Sequence, residues 1–229
     1  MPARITGLID KLDGFQIVLD EIAAILVVES QAQQLFAATA GKDPGLWALR
    51  IYTERANPWH QFLGSPDNAT VDATPIVSVS YDGSTFPPSG GNVVEQQRSA
   101  SIFHIDCYGY AKSEETAEGH DPGDERAKRE VHRALRLVRN ILLAGPYIHL
   151  GLKGLVGRRW PQAVNVFTPS SENRAVDNVA GARLTLAVDH QEYSPQVQGT
   201  ILESLSLEVT KSGSGQILLR AVYPIEDNP

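Results

Sequence analysis

The chain has 229 residues, 42% of them apolar and 21% charged, with a formal net charge of -7 and one cysteine. This composition excludes wholesale disorder and an internal disulfide, and it argues against a surface built to neutralise many phosphates. A single compact core, in a soluble protein of a reducing cytoplasm, is the expectation.

The N-terminal stretch MPARITGLIDKLDG lacks the basic-then-apolar order of a signal peptide. From about Ile5 to Ala40 the chain predicts helix, with a break at Asp13-Gly14 and a stop at Gly41 and Pro44. Leu19, Ile22, Ala23, Leu26 and Val27 form an apolar stripe expected to pack on a sheet. Asp20 and Glu21 interrupt the run FQIVLDEIAAILVV, which falls short of the roughly 20 apolar residues that span a bilayer, so no transmembrane segment is expected.

LWALRIYTER, Leu46 to Arg55, alternates as a strand and ends at Asn57-Pro58. RANPWHQF places Trp59 and Phe62 beside a proline, where a loop plugged into the core is expected. PIVSVSYDG has Val77, Val79 and Tyr81 on one face and Ser78 and Ser80 on the other, the period of a half-buried strand. STFPPSGGN is then a loop, SIFHIDCYGYA the next strand, and KSEETAEGHDPGD a polar loop without an apolar face.

The clearest helix runs from Asp124 to Ala144, with acidic residues in its first turn and Gly145-Pro146 past its end. Ala127, Val131, Ala134, Leu135, Val138, Ile141 and Leu142 recur at helical spacing. WPQAVNVF and GARLTLAVDHQ predict two strands, the second with Leu184, Leu186 and Val188 on one face and Arg183, Thr185 and Asp189 on the other. ILESLSLEVT and GQILLRAVY flank Ser212-Gly213-Ser214-Gly215, a hairpin signal in which Leu205, Leu207 and Val209 share a face. The expected fold class is α+β: a mostly antiparallel sheet covered on one face by an N-terminal helix and a long central helix. Residues 1–195 form that domain and residues 196–229 an appended C-terminal β-hairpin.

Chemistry is sparse. His104 and Asp106 lie two apart on a strand and point the same way, about 7 Å apart. A zinc site needs three or four ligands, and no HxH, CxxC or HExxH cluster supplies the others. Cys107 faces the opposite side with Phe103 and Ile105, as a small buried residue. The face bearing Ile102, His104, Asp106, Tyr108 and Tyr110 is polar and aromatic, which suits a protein interface. PSGGN and SGSG lack a Walker lysine and a following helix, so they predict turns. The long helix carries Arg126, Lys128, Arg129, Arg133, Arg136 and Arg139 against Asp124, Glu125 and Glu130, either a solvated face with internal pairs or a docking surface for an acidic protein. No catalytic residue, cofactor or metal is expected.

In TPIVSVSYDG, RSASIFHIDCYGYA, DERAKREVHRALRLVRNILLA and GARLTLAVDHQEY, the order and character of the elements resemble the tail terminator, or tail completion, proteins of long-tailed bacteriophages. The resemblance spans roughly Ile5 to Tyr193 and rests on pattern; the hairpin from Thr200 to Tyr223 has no counterpart in a minimal member. It implies a virion protein of the tail or neck, a homo-oligomeric, hexameric ring that caps the tail tube protein, halts polymerisation and meets the head–tail connector, with DNA passing through the lumen. The hairpin is expected to bury its apolar face on a neighbouring subunit. Two alternatives stand beside this reading: another neck, connector or baseplate ring subunit, and a metal-dependent hydrolase using His104 and Asp106.

Overall fold

The computed structural model describes residues 10–63, 72–86, 96–117, 119–171, 174–175, 178–193, 204–210 and 217–224, the last two segments as backbone only. The expected helix over Ile5–Ile9, the loop over 87–95 and the turn at 212–215 lie outside the described residues. Within them the protein is α+β, with two α-helices and a mostly antiparallel five-stranded sheet.

Helix α1 spans Gly14–Thr39. Its start is fixed by Asp13, whose N–H donates to Gln16 Oε1 at 3.1 Å, and by the Glu192 carboxylate, which accepts from the Gly14 N–H at 2.8 Å. Gly41, at φ +68°, ends it: the Gly41 N–H reaches the Ala38 carbonyl and the Lys42 N–H the Ala37 carbonyl, a closure that favours glycine. The inward face is Val18, Leu19, Ile22, Ile25 and Leu26. Val27, expected in the buried stripe, is exposed instead, because a helix apolar on nearly all sides lets tertiary contacts choose the inward face.

Strand β1 is Arg50–Thr53, shorter than expected because Pro44–Trp47 winds into a 3-10 turn first. Pro58–Leu63 forms a second 3-10 turn. Strands β2 (Ile76–Thr85) and β3 (Gln96–Tyr110) follow. The polar segment after them is not an irregular loop: Glu114–Thr116 (β4) and Gly119–Asp121 (β5) pair as a short ribbon, so polar residues with no apolar face still satisfy each other's backbone. Helix α2 is Gly123–Leu142, with Asp124 and Glu125 in its first turn and Arg139 in its last. Strand β6 is Val156–Phe167, β7 Ser170–Ser171, β8 Arg174–Ala175 and β9 Val179–Tyr193.

The main sheet has the order β1-β2-β3-β9-β6. Only the β1–β2 pair is parallel. Strands β3 and β9 pair along their whole length, from Gln96 opposite Tyr193 to Tyr110 opposite Val179. β6 is the edge beyond β9, and its register shifts between Pro161 and Ala163, where an edge strand tolerates proline.

Both helices cover the same face. α1 lies over β1 and β2, and α2 over β3 and β9. The core between them joins Val18, Ile22 and Leu26 of α1, Val131, Ala134 and Val138 of α2, and Val77, Val79, Phe103, Ile105, Leu184, Leu186 and Val188 of the sheet. Gly109 permits the close approach of α2: a Cβ there would stand 2.8 Å from the Ala127 carbonyl oxygen. On the opposite face Trp59 and Phe62 plug against Ile76, Tyr108 and Val179, as their sequence context predicts.

Strands β10 (Ser204–Thr210) and β11 (Ile217–Pro224) pair antiparallel, placing Leu205, Leu207 and Val209 opposite Tyr223, Ala221 and Leu219. The sheet and helices belong to one compact unit, Asp10–Ser194, and the hairpin to another.

Candidate functional site

The strand face singled out in the sequence is already occupied within the subunit. Arg183, opposite Asp106 across the β3–β9 ladder, donates to Asp106 Oδ1 from Nε at 2.7 Å and to Oδ2 from Nη2 at 2.8 Å. His104 looks elsewhere, its Nε2 lying 3.7 Å from Asp82 Oδ2. Thus His104 and Asp106 share a face, as alternation requires, but each has a different partner. No group of three or more His, Cys, Asp or Glu side chains able to hold a metal occurs among the described residues.

Tyr108 and Asp106 of the face expected to suit a protein interface are buried within the subunit. The Pro58–Leu63 turn folds over this end of the strand, and Phe167 of β6 meets Tyr108 edge-on at 5.8 Å. Tyr110 is half-buried and stacks on Phe62 at 5.6 Å. Burial, reinforced by the adjacent Asp106 charge, pushes both the Tyr108 hydroxyl and the Cys107 thiol well above their usual ranges, so neither is a nucleophile at neutral pH.

The basic helix divides in two. Arg126 contacts Glu114 at 2.7 Å and the Lys112 carbonyl, and Arg129 contacts Asp121 at 2.6 Å, so the β4–β5 ribbon neutralises the first turns of α2. Arg133 is engaged by Glu130 and by the Leu46 carbonyl, tying α2 to the 3-10 turn before β1. Those three arginines are structural braces. Arg136 and Arg139 are exposed and have no ion-pair partner among the described residues, and exposed His132 lies one turn before Arg136. The unneutralised part of the surface is therefore the C-terminal half of α2.

Two buried polar groups were not assembled from the sequence. Below the start of α1, a chain of hydrogen bonds runs from Tyr81 through Ser84 to Ser101 at 2.7 and 2.6 Å, and from Ser101 Oγ to His190 Nε2 at 2.6 Å. His190 Nδ1 is 3.5 Å from Glu192 Oε1. The order serine, imidazole, carboxylate is that of an acyl-transfer relay, but Ser101 and His190 are sealed under Phe15 and α1, so the chain braces the fold rather than meeting a substrate. Burial holds the His190 imidazole below its usual pKa, with the Glu192 charge opposing. On the other face Arg98 of β3 and Arg158 of β6 both donate to Asp189 of β9. Burial raises the Asp189 pKa, but the two arginines outweigh it and hold the carboxyl below its usual value. His190 lies on the β9 face of Leu186 and Val188, and the β3–β9 register brings Ser101 to it.

No described helix is long and apolar enough to cross a membrane. No family model matches the chain, and no curated protein matches it.

Proposed function

We propose that this chain is a structural subunit of a bacteriophage tail, a tail terminator that assembles into a ring, caps the tail tube and joins it to the head–tail connector. The observation that carries the reading is the division of the basic helix. Arg126, Arg129 and Arg133 are spent inside the subunit, while Arg136 and Arg139 remain as an exposed ridge on a chain of net charge -7. A ridge of that kind on an acidic protein serves docking to an acidic protein surface better than general affinity for nucleic acid. The α+β fold and the order of its elements, on which the resemblance rests, agree with this reading. In such a ring the chain's acidity lets DNA move through the lumen without displacing many counterions. The backbone-paired hairpin β10–β11 is, on this reading, the element that contacts a neighbouring subunit.

The test is electron microscopy of the purified chain, followed by its addition to polymerising tail tube protein encoded beside it. Closed rings that bind tube ends and fix tube length support the reading. A monomer that leaves tube length unchanged overturns it.

A further inference from the structure

The start of α1 and a buried histidine depend on the same carboxylate. Glu192 Oε2 accepts from the Gly14 N–H, the first of the helix, at 2.8 Å, while Glu192 Oε1 stands 3.5 Å from His190 Nδ1. That nitrogen is buried and has no hydrogen-bond partner. Native proteins leave few buried polar atoms in this condition, because each one keeps its full desolvation cost. Glycine permits the closeness of the contact: a Cβ at position 14 would stand 2.8 Å from both His190 Nδ1 and Glu192 Oε1. The first turn of α1 is therefore the cover over the unpartnered nitrogen.

The second anchor of that turn leads to the same ring. Phe15 stacks on Tyr81 with centroids 4.1 Å apart, and the Tyr81 hydroxyl begins the chain through Ser84 and Ser101 that ends on His190 Nε2. One turn later Val18 is wholly buried in the core and needs neither anchor.

The charged and titratable groups around His190 come from each neighbouring element. β9 brings Glu192 and Asp189, and Arg98 of β3 and Arg158 of β6 both donate to Asp189. Tyr81, Ser84 and Ser101 are uncharged. His149 turns its Nδ1 to the carbonyl of Val156, the residue opposite His190, at 3.0 Å. Asp10, Lys11 and Asp13 lie in the stretch leading into α1. Glu192 is the carboxylate that faces Nδ1.

We propose that His190 is a proton-operated latch for the first turn of α1: with the ring neutral Glu192 holds Gly14 and the turn is closed, and with the ring protonated Glu192 passes to the imidazolium and the turn opens. This device stands apart from the ring reading above. An imidazolium carries hydrogens on both nitrogens, whichever tautomer the neutral ring adopts. Nε2–H then donates to Ser101 Oγ, and Ser101 and Ser84 turn their hydrogens toward Tyr81. Nδ1–H takes Glu192 Oε1 as its acceptor, which draws Oε2 off the Gly14 N–H, and the freed turn lets water reach the charge. Burial opposes protonation of the closed ring more than the Glu192 and Asp189 charges and the Gln191 backbone favour it. The open, hydrated ring binds a proton more readily, so acid favours the open turn.

The experiment is NMR of the isotope-labelled full chain from about pH 8 to about pH 5, a range that leaves ordinary glutamates ionised. The His190 ring and the Gly14 amide are expected to titrate with one shared midpoint, below 6.5. Hydrogen exchange, corrected for its intrinsic pH dependence, should show the Gly14, Gln16 and Ile17 amides losing protection by up to about tenfold per pH unit, while Phe103 and Ile105 in β3 keep theirs. In His190→Gln the protection of the first turn should no longer change over this range. Separate midpoints, a ring that stays neutral throughout, or the same pH dependence in His190→Gln overturns the latch. Loss of protection in α1 and β3 together overturns it as well, since that is unfolding of the whole unit. Should His190→Gln fail to fold, the wild-type titration decides alone: a shared midpoint with β3 still protected supports the latch, and anything else opposes it.

Discussion

Asp106 and Arg183 face each other across the β3–β9 ladder and form a two-pronged ion pair at 2.7 and 2.8 Å, with the carboxylate almost wholly buried. Removing one partner leaves the other charge without compensation, whereas removing both does not. Arg183→Ala is expected to cost about 2 kcal/mol in urea denaturation, toward the low side for a buried pair because the guanidinium is partly solvated. Asp106→Leu combined with Arg183→Met should recover most of that loss. A double variant no better than Arg183→Ala would show that the pair is not the source of the cost.

Acid is expected to weaken the fold in two stages. His190 has a folded-state pKa below its usual 6.5, so the unfolded chain takes up its proton first, and the stability this group contributes is present above that value and falls away as pH drops through and below it. Asp189, held below its usual 3.8, adds stability that is lost only at lower pH. Chemical denaturation across pH 3 to 8 should therefore show a decline below about 6.5 that His190→Gln removes. An unchanged slope in that variant assigns the decline to another group.

The arginines of α2 are expected to separate by role. Arg133→Ala should lower stability by about 1–2 kcal/mol, since it strips a charged donor from Glu130 and the Leu46 carbonyl. Arg136→Glu with Arg139→Glu should change stability by less than about 0.5 kcal/mol and abolish assembly. A double variant that assembles normally but loses DNA retention in a filter assay would hand the ridge to nucleic acid.

Ending the chain after Gln196 removes both hairpin strands and leaves the unit Asp10–Ser194 whole. The shortened protein is expected to melt within a few degrees of the full chain, and, on the proposed ring reading, to form rings that fall apart on dilution where those of the full chain persist. Aggregation on truncation would place the hairpin in the subunit's own core.

Alternation and helical spacing made most of the sheet and both helices legible, because Val77/Val79, Leu184/Leu186 and Ala127/Val131/Ala134 each carry a period that only one element satisfies. The inward face of α1 was harder: with apolar residues all round, nothing local distinguishes Val27, which is exposed, from Val18 and Ile25, which are buried. The basic helix was visible as a run of charge, but its division depends on the β4–β5 ribbon and on Leu46, which spacing along one helix does not reveal. The His104–Asp106 pair was correctly placed on one face, and its separate partners, Asp82 and Arg183, come from two other strands or their ends.

The pairing of β3 with β9 has a consequence for synthesis. Its partners lie far apart in the chain, and α2 and β6 are both made between them. Strand β3 therefore leaves the ribosome with its apolar side, Phe103, Ile105 and Cys107, lacking the neighbour that completes the middle of the sheet, and waits for almost all of the Asp10–Ser194 unit to be translated. Such long-range closure slows folding and lengthens the time for which an unpaired edge is open to other nascent chains. Slow expression, which leaves fewer such open edges present at one time, is the condition under which this topology should be recovered in its folded form.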